Sequence, residues 1–258
     1  MTRDDLLEQL TTRELGRPLV YFDETDSTNS QAQRAAAAGE AGHGAVFVAA
    51  RQTAGRGTDG NTWQSADGQG LCMSLILREE GPIRPAITLM PAIAIARVLR
   101  SKYGVDAHLK WPNDVLVGDR KIAGILVESI PQAAGVSHVM GIGVNLNQKE
   151  FAAELRPIAT SVCKVIDRSV SLPVFFGQLM LEIERLWLGP HDWPAIWLPY
   201  SRMVNARIEL KQGGQVTQVV ALGLTDEGFL RVRESSGRER VIISRTGLDV
   251  RFVSTDVV

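Results

Sequence analysis

Lys110-Trp111-Pro112-Asn113-Asp114 and, four residues further on, Asp119-Arg120-Lys121-Ile122-Ala123-Gly124-Ile125-Leu126-Val127-Glu128 form the most constrained part of this chain. The first run reads as a strand ending in a turn, because proline followed by Asn-Asp favours turn geometry. The second opens a new strand with two adjacent cations. A hairpin of this length carries Asn113 and Asp114 near one end of the strand pair and brings Lys121 out beside the sheet. Taken alone, a lysine entering an apolar strand is usually a side chain that snorkels to solvent. The hairpin acquires meaning only from its surroundings.

Upstream lies Arg51-Gln52-Thr53-Ala54-Gly55-Arg56-Gly57-Thr58-Asp59-Gly60-Asn61-Thr62-Trp63, inside a polar, glycine-rich loop over 52–70. Gly55, Gly57 and Gly60 satisfy G-x-G-x-x-G, but a dinucleotide fingerprint needs a helix opening at those glycines, and residues 62–68 are poor helix formers. The spacing also approaches a P-loop, yet Asn61 stands where the phosphate-reaching lysine belongs. What survives is the chemistry. Closely spaced glycines let backbone N–H groups surround an anion, and Arg56 adds a fixed charge with a donor fork.

Further outward, apolar runs predict strands at 19–23, 46–50, 71–77, 107–111, 122–130 and 138–144. Helices are expected over the first 16 residues and at 29–39, 86–102 and 171–188, the last with Leu179, Ile183 and Leu186 on one face. After Met203 the character changes. Short strands at 207–210, 216–222, 229–232, 240–243 and 248–252, separated by glycine-bearing turns, predict a small all-β barrel. The fold class is α+β, with a mixed-sheet domain at 1–203 and a small β domain at 204–258.

Charged residues make up 22% of the 258 positions and the net charge is −1, so no global field attracts nucleic acid or an anionic membrane. Cys72 and Cys163 lie in mostly apolar runs and match no metal spacing. They read as reduced core residues, which favours a cytoplasmic protein. The acidic N-terminus lacks the apolar core of a secretory signal. No apolar run approaches the roughly 18–20 residues of a membrane span.

With Ser27-Thr28-Asn29 upstream and Gly141-Ile142-Gly143-Val144-Asn145 downstream, these elements resemble the biotin protein ligases in order and approximate spacing, over residues 19–200. The Lys-Trp-Pro-Asn-Asp element joined to Arg-Lys-x-Ala-Gly-Ile-Leu is the specific part. The run Leu224-Thr225-Asp226-Glu227-Gly228-Phe229-Leu230 is similar, more weakly, to the family's SH3-like C-terminal domain. The resemblance implies ATP-dependent activation of biotin to biotinyl-5′-AMP, followed by transfer to a lysine of a biotin carboxyl carrier protein, an acetyl-CoA carboxylase subunit. ATP and biotin would be substrates, with Mg²⁺. Ser27, Thr28, Asn29, Gln52, Arg56, Gly57, Thr58, Lys121 and Gly124 would surround biotin, while Arg56, Trp63, Lys110, Asn113 and Asn145 would meet the nucleotide and Asp114 the magnesium. Lys121, bridging the biotin carboxyl and the α-phosphate, and Arg56 would carry the catalysis. A homodimer through an exposed sheet edge also fits the family pattern.

Two departures matter. Thr58 stands where the family's loop usually has a second arginine, and Asp59 adds a negative charge beside it, which implies weaker retention of the adenylate. Only 26 residues precede Ser27, against about 60 for the helix-turn-helix domain of some members, so no sequence-specific DNA binding is expected. A lipoate-type ligase is the nearest rival, and the Lys-Trp-Pro-Asn-Asp element and Gln52 argue against it. A sensor of biotin or its adenylate with impaired transfer is disfavoured by the presence of Lys121, Asn113 and Asp114.

Overall fold

The computed structural model describes residues 1–64, 68–132, 135–243 and 247–254. Seven strands build a mixed sheet: β1 (Leu19–Thr25), β2 (Val46–Gln52), β3 (Gly70–Glu79), β4 (Ala107–Lys110), β5 (Asp114–Val117), β6 (Arg120–Gln132) and β7 (Gly135–Asn145). Their order is β1-β2-β3-β7-β6-β5-β4. The pair β1–β2 is parallel and the other pairs are antiparallel. A parallel pair needs a crossover. It is supplied here after α1 (Arg3–Glu8) by α2 (Thr28–Ala38).

The alternating faces of β3 explain the layers. Leu71, Met73, Leu75 and Leu77 belong to the main core with α3 (Met90–Tyr103), and after α4 (Val162–Ile166) with α5 (Leu172–Leu188) and α6 (Trp193–Trp197). Ile76 faces the opposite side and joins Ala32 and Ala36 of α2, with Phe47 and Val139. Both faces of β3 are therefore covered, which is why it reads as an unbroken apolar run. Pro91 lies in the first turn of α3, where a missing N–H costs nothing, so it starts that helix instead of breaking it.

The expected 16-residue N-terminal helix is only Arg3–Glu8, begun by a Thr2–Asp5 capping box. The chain then turns, and tertiary bonding outcompetes helix continuation. The N–H groups of Arg13, Glu14 and Leu15 donate to Glu184 Oε1 on α5 at 3.0, 2.8 and 3.0 Å. Burial alone would raise the Glu184 pKa, but these three donors outweigh it and hold the carboxyl below its ordinary value. Glu184→Ala strands the buried Leu15 donor and leaves the part-buried Arg13 and Glu14 donors without this acceptor, and is expected to cost about 3 kcal/mol at neutral pH. A depressed acid stabilises above its unfolded pKa and loses that contribution as pH falls through the folded one. The gap between wild type and variant in urea denaturation should therefore narrow on acidification below the glutamate range.

Strand β5 is not expected from the sequence, because Asn113-Asp114 after proline favours a turn. The turn is instead at 111–113 and Asp114 starts the strand. After it come the strands of a second sheet: β8 (Arg207–Gln212), β9 (Gln215–Leu224), β10 (Leu230–Glu234), β11 (Glu239–Ile242) and β12 (Leu248–Ser254). All pair antiparallel in the order β11-β10-β9-β8-β12. No pairing joins β11 to β12 among the described residues, so the expected barrel is an open sheet. Buried Trp111 fastens it: Nε1 donates to Gly228 O at 3.0 Å. Gly228 has φ +80, and a Cβ there would lie 2.9 Å from Ala86 Cα, so the second sheet approaches by its bare backbone.

Cys72 is buried as expected. Cys163, in the first turn of α4, is only half-buried. Among the described residues no helix is long and apolar enough to cross a membrane.

Candidate active site

The parallel register Thr25↔Gln52 sets the Gln52 side chain beside the start of α2. Its Oε1 accepts from the Thr28 N–H at 2.8 Å and from Thr28 Oγ1 at 3.1 Å. Ser74 Oγ of β3 lies 2.8 Å from Thr28 Oγ1 and 3.0 Å from Asn29 Oδ1. Asn29 Nδ2 donates to Glu128 Oε2 at 2.6 Å, and Arg56 Nη2 donates to Glu128 Oε1 at 2.8 Å. The polar groups at the head of α2 are thus cross-linked to one another and to the loop arginine. The network is buried around Ser74 and opens toward solvent at Arg56, and its cross-links restrain the head of α2. Ser27 occupies the N-cap of α2 without making a cap bond, and it lines the cavity.

The glycines of the downstream motif serve close approach. Gly124 of β6 pairs with Gly143 of β7, and Leu126 with Gly141. A Cβ on Gly143 would lie 2.3 Å from Trp63 Cε2, and one on Gly124 would lie 2.8 Å from Lys121 Cε. At Gly141 it would meet Asn29 Oδ1 at 2.7 Å. Bare backbone here makes room for the Trp63 indole, the Lys121 stem and the Asn29 amide.

Lys121 is aimed by a bulge. Leu116 pairs with Lys121 while Val115 pairs with Ala123, which leaves Ile122 as the extra residue. Its backbone is clamped by the segment after β7: Lys121 N–H donates to Ile158 O at 2.7 Å, and Thr160 N–H to Lys121 O at 3.0 Å. The ammonium lies 2.5 Å from Asp114 Oδ1, and Lys110 Nζ is 3.6 Å from Asp114 Oδ2. Lys121 Nζ also stands 5.8 Å from the centroid of the Trp63 ring. Asn113 Nδ2 is committed to Ile125 O at 2.7 Å.

A cavity of about 510 Å³ brings together Ser27, Thr28, Asn29, Gln52, Arg56, Gly57, Thr58, Trp63, Asn113, Lys121, Gly124 and Asn145. Lys110 and Asp114 line an adjoining cleft of about 1200 Å³ that is shared with Arg56, Asn113, Lys121 and β12. The sequence does not announce the roles of several further residues. Ser74 and Glu128 complete the polar network, Gly141 and Gly143 form the floor, and Phe151, Ala152, Leu155 and Ile158 add an apolar wall. Asn145 anchors that wall, donating to Thr160 O at 3.1 Å and accepting from Gln148 Nε2 at 3.2 Å. The 148–159 run has no helical or strand periodicity, so nothing local announced it.

Among the described residues no three His, Cys, Asp or Glu side chains gather as a metal cluster. Magnesium carried on nucleotide phosphates needs only one or two protein carboxylates. Asp114, lining the cleft beside Asn113, fits that modest demand.

Comparison with known proteins agrees with this geometry. Residues 21–145 match the model of the Biotin/lipoate A/B protein ligase family, and residues 204–244 match that of the Biotin protein ligase C terminal domain. The chain is 32% identical over 242 residues to the Bifunctional ligase/repressor BirA of Bacillus subtilis, covering 90% of this chain and 74% of that protein. It is 33% identical over 229 residues to the Biotin--[acetyl-CoA-carboxylase] ligase of Paracoccus denitrificans, covering 83% and 94%. A solved biotin protein ligase from Aquifex aeolicus, in complex with biotin and ATP, superposes with a TM-score of 0.76 at 23% identity, over 92% of this chain and 99% of that one; it speaks for the fold. This chain belongs to the biotin protein ligases of the biotin/lipoate A/B protein ligase family.

Proposed function

We infer that this protein activates biotin with ATP and transfers it to a lysine of a biotin carboxyl carrier protein. The observation that carries the reading is the single cavity in which Lys121, Arg56 and the glycine loop face the Ser27–Asn29 and Gln52 group. In the first step a biotin carboxylate oxygen bonds to the α-phosphorus of ATP and pyrophosphate leaves. In the second the carrier amine bonds to the acyl carbon, loses its proton, and AMP leaves with the anhydride oxygen. Thr28, Asn29 and Gln52 orient the polar ring of biotin. The apolar wall at 151–158, with Trp63 and Asn145, borders the base. Two anions must meet in the first step, and Lys121 and Arg56 offset their repulsion at the developing charge.

Both cations rest on carboxylates in the structure, Lys121 on Asp114 and Arg56 on Glu128. Magnesium held by Asp114, when bound, would supply charge neutralisation of the phosphates. Lys121, sharing that carboxylate, stays fixed beside them. The wall and loop exclude water from a mixed anhydride that water would destroy. Residues 1–203 would hold the chemistry and 204–258 the second unit.

The test is incubation with ATP, Mg²⁺, biotin and a carrier domain, read by intact mass. One biotin added to the carrier is expected; pyrophosphate release without an adduct would leave a sensor, and an adduct formed with lipoate instead would sink the choice of acid. Thr58 lines the cavity without an arginine's fork. Thr58→Arg is accordingly expected to slow escape of biotinyl-AMP about tenfold. Labelling of bystander lysines reads it, and undiminished labelling would refute a retention role for this position.

A further inference from the structure

The glycine loop closes on itself at its base, but its apex reaches the other sheet. Trp63 N–H donates to Gly55 O at 3.0 Å and Gly57 N–H to Asn61 O at 2.7 Å, beside an Arg56↔Thr62 bridge. At the apex the three residues Thr58–Gly60 form one 3-10 turn in which Asp59 takes φ 56 and ψ 34. Non-glycine residues adopt that left-handed conformation rarely, Asp and Asn most readily. Among the described residues, the apex makes one hydrogen bond outside the loop. Gly247 N–H, just before β12, donates to Asp59 Oδ1 at 2.9 Å across 188 positions of sequence. Asp59 and Gly247 line the same cleft, so the bond spans it from one unit to the other.

We propose that Asp59 is a positioning residue that ties the loop to the C-terminal sheet and so keeps the loop over bound biotinyl-AMP. The apex has little else to hold it. Asp59 and Gly60 are exposed, and nothing lies within 4 Å of a Cβ built on Gly60. A loop fastened only at its base opens by local fluctuation. A hydrogen bond at the apex opposes that opening. The anchor is itself fixed, because Trp111 and Gly228 hold the two units together. The C-terminal sheet thereby contributes to retention through the loop rather than by touching the reacting atoms. The role rests on the adenylate reading above, and its test is arranged to fail separately.

Two full-length variants separate backbone, acceptor and charge. Asp59→Gly keeps the left-handed turn and drops the acceptor, whereas Asp59→Asn keeps both turn and acceptor and drops the charge. The first readout is steady pyrophosphate release with ATP, Mg²⁺ and biotin but no carrier, which reports escape of the adenylate. The second is the rate of tryptic cutting after Arg56 in the ligand-free protein. Asp59→Gly is expected to raise both about tenfold, while Asp59→Asn stays within about twofold of the native protein. Native behaviour of Asp59→Gly overturns the tie. An equal rise in both variants, or a fall in both, overturns it in favour of charge alone. If the native protein releases no pyrophosphate, the ligase reading fails, and the tryptic rates still decide the tie.

Discussion

Lys121→Ala is expected to slow formation of biotinyl-AMP about 10²–10³-fold, the usual cost of removing one preorganised donor from a developing charge. The loss should fall on kcat more than on KM for biotin. Of the groups proposed to border the biotin ring, Thr28 bonds to Gln52, and Thr28 and Asn29 both bond to Ser74, with no bond to Lys121 among the described residues. The fold should survive, because the Lys121 backbone is clamped at Ile158 and Thr160 whatever its side chain. Removing the ammonium leaves Asp114 facing Lys110 alone, at 3.6 Å. Lys121→Arg should recover little, since a guanidinium fork does not replace a point charge seated 2.9 Å from where a Gly124 Cβ would stand. Single-turnover pyrophosphate release beside a thermal melt measures both effects. A rate within tenfold of the native protein, with an unchanged melt, would remove Lys121 from the centre of the reaction.

Gly143→Val should be nearly as damaging for a steric reason. Even one Cβ would lie 2.3 to 2.7 Å from three indole atoms of Trp63. Strand β7 is central and cannot retreat, so the indole must leave the floor and carry the loop with it through the Trp63–Gly55 bond. A fall of about 100-fold in kcat/KM for biotin is expected, comparable to losing one donor of the site by misplacement. Combining it with Trp63→Ala makes the test sharp. If the collision with the ring is the cause, the double variant should be no worse than Trp63→Ala, whereas independent effects would multiply. Multiplication would mean that Gly143 serves the strand or the ligand directly.

What could be read without coordinates was local. Lys121 after a turn, glycines around Arg56, a Ser-Thr-Asn run at a helix start and the Gly-Ile-Gly strand are patterns a few residues long. Local turn chemistry and strand alternation suffice to place each of them on its element. They also preserve chain order, which carried the family resemblance. The strands other than β5 and the helices α2, α3 and α5 were legible for the same reason, since their apolar periodicity is a property of short windows.

Tertiary structure decided everything that depends on partners far apart in the chain. Helix α1 stops early because Glu184 offers its acceptors to residues 13–15, a competition that helix propensity does not contain. Trp111, embedded in the most distinctive motif, holds the second sheet through Gly228. Glu128 joins Asn29 to Arg56 only because β6 passes beneath the head of α2. The apolar wall at 151–158 has no periodicity and becomes a wall only when Lys121 pairs with its backbone. Side-chain type and short-range pattern belong to the sequence, whereas hydrogen-bond partners and steric room follow from strand register and packing, which only the folded chain specifies.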